Sequence, residues 1–208
     1  MSGPDSNFWQ AKFDAGHTPW DRGTLSPQLS AWLESGLLNA NQHRRIAIPG
    51  CGAGHEAVAL AQRGFAVTAL DYAPAAVART RAALQAADAV ATVEQADVLV
   101  WQAPQPCDAI YEQTCLCALH PDHWVAYAAQ LHRWLKPGGT LFALFAQALR
   151  PAASEGRVEG PPYHCDINAM RALFPAAQWQ WPKPPYARLD HPMGIFELAV
   201  VLKKRVTA

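Results

Sequence analysis

An excess of either charge is missing from this sequence: Lys and Arg together number 17, Asp and Glu also number 17, and the formal net charge is zero. Proteins whose main task is to bind DNA, RNA or an anionic membrane usually carry a basic surplus, so no nucleic-acid partner is expected. The run Lys203–Arg205 reads as the solvated end of a terminal strand. Also missing is any apolar run long enough to span a bilayer, and Met1 to Asn7 lacks the basic, apolar and small-residue order of a secretion signal. The expectation is a cytoplasmic protein with no membrane partner. Five cysteines (Cys51, Cys107, Cys115, Cys117 and Cys165) include no C-x-x-C pair, which reads as buried thiols and not as a disulfide frame or zinc site. Cys115 and Cys117 share a side if that stretch is extended, but two ligands do not make a metal site. His120, Asp122 and His123 read as helix-start capping and solvated side chains, so no metal is expected. Internal repeats and low-complexity segments are absent from the sequence.

What is present is a chain of 208 residues, 50% hydrophobic and 16% charged. That length and balance suit one globular domain over residues 1–208. Its first 40 residues are aromatic and helix-like, with Phe8, Trp9, Phe13 and Trp20 followed by an apolar-periodic stretch from Pro27 to Leu38. Residues 41–208 then alternate short apolar runs with helices. Strands are expected at Ile46 to Pro49, Ala66 to Leu70, Thr92 to Asp97, Cys107 to Thr114 and Thr140 to Ala146, with two further strand-like pieces near Ala177 to Trp181 and Ile195 to Leu202. Helices are expected from His55 to Arg63, Pro74 to Ala86, Asp122 to Leu135 and Asp166 to Phe174, with a Pro- and Gly-rich loop at Pro151 to Tyr163. Such alternation predicts an α/β fold with a mostly parallel sheet covered on both faces. In these sheets ligands bind at the carboxyl ends of the strands, near the switch point.

The segment Pro49-Gly50-Cys51-Gly52-Ala53-Gly54-His55 follows the first strand and opens a helix. Glycines there let the backbone turn tightly and approach a ligand closely. Asp71 ends the next strand, where a carboxylate can grip a ribose diol. A dinucleotide fingerprint wants its third glycine at position 55, but His55 stands there and the third glycine comes one residue early. That G-x-G-x-G spacing is the pattern of S-adenosylmethionine (SAM) sites. Asp97-Val98 closes the third strand, where an acid and the neighbouring backbone can read an adenine amino group. Each acid taken alone could instead be a cap or turn residue.

The chain resembles the thiopurine and thiol/halide methyltransferase family, a branch of the class I SAM-dependent methyltransferases. The likeness spans nearly the whole length. It is carried by Thr18-Pro19-Trp20-Asp21-Arg22-Gly23, the glycine turn from Ile48 to His55, Leu70-Asp71, Asp97-Val98, Cys117-Ala118-Leu119, Leu135-Lys136-Pro137-Gly138-Gly139 and Gly160-Pro161-Pro162-Tyr163. The resemblance implies a Rossmann-like class I methyltransferase sheet with an antiparallel last strand, flanked by helices and roofed by an N-terminal helical lid (residues 1–40). It implies SAM as cofactor, S-adenosylhomocysteine as product and a small-molecule acceptor, methylated at a thiol or thiolate sulfur. Cofactor contacts are expected from Trp9, Phe13 and Trp20 in the lid, from Gly50, Gly52 and Gly54, and from Asp71, Tyr72, Asp97, Val98 and Gln113. Tyr163 is expected on the substrate side, donating a hydrogen bond to an anionic sulfur, and Glu112 to orient the substrate or the methionine amino group. Packing in the core is the alternative for Phe13, packing on proline the alternative for Tyr163, and a cap or strand-end role the alternative for Glu112.

After the fourth strand the chain departs from the plant-type members. Glu112-Gln113-Thr114-Cys115-Leu116 stands where they have Asp-Tyr and large aromatics, and Gln113 replaces the stacking ring. The first alternative is therefore a small-molecule O- or N-methyltransferase; separate rivals are a SAM-binding protein without turnover and, from the glycine turn, a nicotinamide oxidoreductase. No Ser-His-Asp order or carboxylate pair demands another chemistry. The oligomeric state is left open, a monomer being compatible with everything above.

Overall fold

The chain is described here by a computed structural model that covers residues 3–151, 155 and 157–206. Of the expected loop from Pro151 to Tyr163, residues 152–154 and 156 lie outside the described residues. Two helices come first, α1 (Ser6–Asp14) and α2 (Pro27–Glu34). The alternating part follows as β1 (Arg45–Pro49), α3 (His55–Ala61), β2 (Ala66–Asp71), α4 (Pro74–Ala86), β3 (Thr92–Gln95) and β4 (Cys107–Gln113). A single helical turn α5 (Cys115–Ala118), a 3-10 turn (Pro121–His123) and α6 (Trp124–Trp134) lead to the long β5 (Leu135–Gln147). The chain then forms α7 (Ile167–Leu173), β6 (Trp179–Gln180), β7 (Ala187–Asp190) and β8 (Phe196–Lys204).

The strands make one sheet in the order β3-β2-β1-β4-β5-β8-β6, with β7 also paired to β8. The pairs from β3 through β5 are parallel, and β8 runs antiparallel to β5, β6 and β7. This is the expected class I methyltransferase architecture. The central strands read as unbroken apolar runs because helices cover both faces. Period-two alternation distributes their side chains. Ile46, Ile48, Ala109, Tyr111, Phe142 and Leu144 pack with Leu29, Trp32 and Leu60 on one face. Ala47, Ile110, Leu141, Ala143 and Phe145 pack with Leu131, Trp134 and Phe174 on the other. The chain adds β2 and β3 on one side of β1 and then crosses to β4 on its other side. The crevice at the carboxyl ends of β1 and β4 is the switch point.

Three local expectations change. Cys115 and Cys117 sit in the helical turn α5 and not in an extended segment, entered through Thr114 at φ +63°, so they do not share a strand face. The Lys136-Pro137-Gly138-Gly139 turn is absorbed into β5, because Leu135 already pairs with Cys107 before the register shifts to Ala109 with Thr140. A Cβ on Gly139 would stand 2.9 Å from the Lys136 carbonyl oxygen, which is why the chain needs glycine at this tight point. Strand β7 was not foreseen. Ala187-Arg188-Leu189-Asp190 is polar and edge-exposed, and its strand character comes from pairing with Leu198 and its neighbours in β8.

Candidate active site

A cavity of about 600 Å³ opens at the carboxyl ends of β1, β2 and β4. Its floor begins with the glycine turn, which enters left-handed backbone at Gly50 (φ +65°), Gly52 (φ +55°) and Gly54 (φ +85°). The three glycines have different surroundings. A Cβ on Gly50 would press on Cys115, and one on Gly54 would come 2.9 Å from the Thr80 Cα in α4. Gly52 has nothing within 4 Å of that position and faces the cavity. Gly54 is thus a helix-packing glycine that does not line the cavity, while Gly50 and Gly52 do.

Asp71, at the end of β2, turns its carboxylate back to the glycine turn. Its Oδ2 accepts from the Gly52 N–H at 2.9 Å and its Oδ1 from the Ala73 N–H at 3.0 Å. Burial raises its pKa, opposed by these amide donors. Tyr72 beside it is partly exposed and lines the cavity, as do Asp97 and Val98 at the exit of β3. Asp97 Oδ1 accepts from the Leu99 N–H at 2.8 Å, an Asx-type turn that leaves its other oxygen uncommitted among the described residues.

The roof is aromatic. Asp5 caps α1 by accepting from the Phe8 N–H at 2.9 Å. The i, i+4 spacing of Trp9 and Phe13 puts both on one face, where each meets Trp20 edge-on with ring centroids 5.5 and 5.9 Å apart. Side chains tie α1 to the body of the domain. Ser6 Oγ donates to the Tyr72 carbonyl at 3.0 Å, and Gln10 Oε1 accepts from the Ala75 N–H at 2.9 Å in the first turn of α4. His55, at the start of α3, has Nε2 3.0 Å from Asp21 Oδ1, joining the Thr18–Gly23 segment to the glycine turn.

One wall is polar. The Tyr111 hydroxyl donates to Gln113 Oε1 at 2.5 Å, and Gln113 Nε2 donates to both oxygens of Glu197 at 3.2 and 3.0 Å. Arg22 completes this chain, with Nη2 3.3 Å from Glu197 Oε2 and 2.8 Å from the Asp190 carbonyl oxygen. Gln113 therefore lines the cavity with an amide already engaged on both ends. Burial pushes the Glu197 carboxyl up to about 7, opposed by the Arg22 charge.

Two expected site residues stand behind the wall. Glu112 is 1% exposed, and its Oε1 accepts from the Leu116 N–H at 2.7 Å, shaping the α5 turn. Burial pushes its carboxyl up to about 8. Tyr163 is buried under Gly160 and against the His120 ring, and its N–H donates to the Cys117 carbonyl at 2.7 Å. The neighbouring Pro161 and Pro162 line the cavity instead. Neither side chain lines the cavity: Glu112 is buried within β4, and Tyr163 packs beneath Gly160. Cys115 and Cys117 reach the cavity, but burial raises their thiols well above the ordinary range, so they stay protonated. Among the described residues no three His, Cys, Asp or Glu side chains are grouped to hold a metal ion.

SAM fits these residues. Gly52 leaves open the space a Cβ would fill, next to the buried carboxylate of Asp71, in a cavity also lined by the rings of Trp9, Phe13 and Trp20. Arg22, Glu56 and Met193 also line the cavity. Arg22 lies in the motif quoted above, whereas Met193 comes from the turn before β8 and carries no sequence signal.

Comparison with known proteins places the chain in a family. The profile of the family described as Thiopurine S-methyltransferase (TPMT) matches residues 4–192. A "Probable thiol methyltransferase 2" of Arabidopsis thaliana is 31% identical over 177 residues, which is 84% of this chain and 74% of the relative. The "Thiocyanate methyltransferase 1" of the same plant is 30% identical, over 80% of this chain and 70% of its own length. Among solved structures, the Burkholderia thailandensis 1,6-didemethyltoxoflavin-N1-methyltransferase, with its substrate and S-adenosylhomocysteine bound, superposes with a TM-score of 0.74. At 18% identity, over 97% of this chain and 87% of that one, it is a likeness of fold.

Proposed function

The chain belongs to the thiopurine S-methyltransferase family, and from that premise we propose the following division of labour at its cavity. The protein is a SAM-dependent methyltransferase that methylates a small-molecule acceptor at a thiol sulfur, with S-adenosylhomocysteine as product. Gly50 and Gly52 let the backbone approach the cofactor, Asp71 holds its ribose, and Asp97 with Val98 reads the adenine end. Trp9, Phe13 and Trp20 cover the sulfonium. We read the whole chain as one methyltransferase unit with residues 1–40 as its lid, working as a cytoplasmic protein.

Bound SAM supplies a methyl group already activated by the positive charge on its sulfur. The remaining barrier is one of alignment and solvent removal. The aromatic roof serves both needs. Ring faces and edges exclude water from the reacting sulfur, and a sulfonium is attracted to aromatic faces as other cations are. No general base is required: a thiol near pKa ~8.5 is partly ionised at neutral pH, and a more acidic one fully so. The protonated, cavity-lining Cys115 and Cys117 do not compete as acceptors. Glu112 and Tyr163 act as wall-forming residues, through the Leu116 N–H and through the Pro161-Pro162 segment.

The observation that carries this reading is the open face of Gly52 beside the buried Asp71 carboxylate, in a cavity also lined by Trp9, Phe13 and Trp20. The test is calorimetric titration of the purified chain with SAM, S-adenosylhomocysteine and NAD, followed by an acceptor panel of thiols, thiocyanate and phenols. Binding of the first two but not NAD, with methyl transfer to sulfur, is expected. Transfer to phenols and to no thiol would move the acceptor atom to oxygen, and NAD binding alone would overturn the assignment.

A further inference from the structure

Arg22 has more hydrogen-bonding capacity than the fold uses. Its side chain is 15% exposed and lines the cavity. Nη2 is engaged by the Asp190 carbonyl and by Glu197. Nε is buried with no hydrogen-bond partner, and Nη1 has none among the described residues. An unpaired donor on a largely desolvated cation is costly unless an acceptor arrives. The guanidinium is also fixed in place, because the Tyr111–Gln113–Glu197 chain holds the carboxylate that holds it. Glu197 does not neutralise it fully near neutral pH, since burial pushes that carboxyl up to about 7. The other acidic groups on this side are engaged elsewhere, Asp21 with His55 and Glu56 with the Ser26 N–H. His191, near by, is kept neutral by burial and by Arg22.

We propose that Arg22 is the carboxylate-reading residue of the cavity, offering Nη1, which its own fold leaves unpaired, to a carboxylate that a ligand brings. Nη1 of a guanidinium held in place and always charged gives a carboxylate a charge-assisted hydrogen bond, the stronger kind. The proposal rests on the methyl-transfer reading and extends it to the charge on the ligand. Two ligands can bring that group: the methionyl end of SAM, or an acceptor that is a thiol carboxylic acid.

The test compares wild type with Arg22→Gln and Arg22→Lys. The lysine variant keeps a cation beside Glu197 should the glutamine variant fail to fold. One arm titrates SAM and decarboxylated SAM by calorimetry. The other measures KM for 3-mercaptopropionate and for its terminal amide, which share a thiol and a length and differ in charge. If the carboxylate belongs to SAM, affinity falls about ten- to a hundredfold for SAM and little for the decarboxylated form. If it belongs to the acceptor, KM rises by that factor for mercaptopropionate alone. In either case Arg22→Lys loses less than Arg22→Gln. Equal effects on both members of each pair would overturn the proposal. A wild type that binds SAM yet methylates neither thiol would sink the sulfur reading, while the SAM arm still decides the role of Arg22.

Discussion

Gly52 and Gly54 stand two residues apart, both with positive φ, in opposite surroundings. A side chain at either position pays the left-handed penalty of roughly 1–2 kcal/mol. At Gly54 the new Cβ also meets the Thr80 backbone, so Gly54→Ala is expected to lower Tm by several degrees more than Gly52→Ala. At Gly52 the methyl enters the open cavity, and on the proposed cofactor placement Gly52→Ala is expected to weaken SAM about tenfold or more in a chain that still folds. Calorimetry and thermal melts on the two variants separate these roles. Equal SAM affinities would place the cofactor elsewhere. The sequence motif marks both glycines alike, since the pattern G-x-G-x-G says which positions need a positive φ but not which of them looks into the cavity.

At the scale of elements, α1 is a short helix whose position depends on its contacts. Ser6, Gln10 and the Phe13 carbonyl, which accepts from Arg79, bind it to the start of α4, and Trp9, Phe13 and Trp20 pack as one unit. Rings in edge contact couple by about 0.5–1.5 kcal/mol. A double-mutant cycle of Trp9→Ala and Trp20→Ala, read by SAM affinity, is therefore expected to be non-additive by about that amount. Strict additivity would mean that the two rings do not act as one roof. The pairing of Trp9 with Phe13 was legible from i, i+4 spacing alone. Their meeting with Trp20 was not, because the turn from Gly16 to Thr18 that returns Trp20 to the helix has no periodicity to read. The same limit explains β7, whose polar edge sequence becomes a strand through the backbone of β8.

Across the whole molecule, buried acids set the response to pH. Glu112 and Glu197 are held up to about 8 and about 7 by burial, while in the unfolded chain both ionise near 4.3. Between those limits the native state binds more protons than the unfolded state, so stability falls as pH rises. His191, pushed down to about 4, works in the opposite sense, but its window closes near pH 6.5. From pH 6.5 to 8 the acids lead, joined toward pH 8 by the buried thiols, which keep protons the unfolded chain begins to lose, and Glu112 by itself is expected to cost about 2 kcal/mol over that range. Urea denaturation at pH 6.5 and pH 8 should show the loss in wild type and a smaller one in Glu112→Gln, whose amide cannot ionise. An unchanged slope in the variant would show that Glu112 is already ionised in the folded protein.

Legible in the chain alone were the alternation of strands and helices, the glycine turn, the acid that ends β2 and the acid just past β3. All of these are local signals, written within one element or one turn. Tertiary structure decided which side chains line the cavity. It set Glu112 and Tyr163 behind the wall, turned Gly54 toward α4, and brought Arg22, Gln113 and Glu197 together from three distant segments. No spacing rule connects positions 22, 113 and 197. They meet because the sheet places the end of β4 opposite the start of β8, on either side of the end of β5, and because burying a carboxylate there requires donors from wherever the fold can supply them.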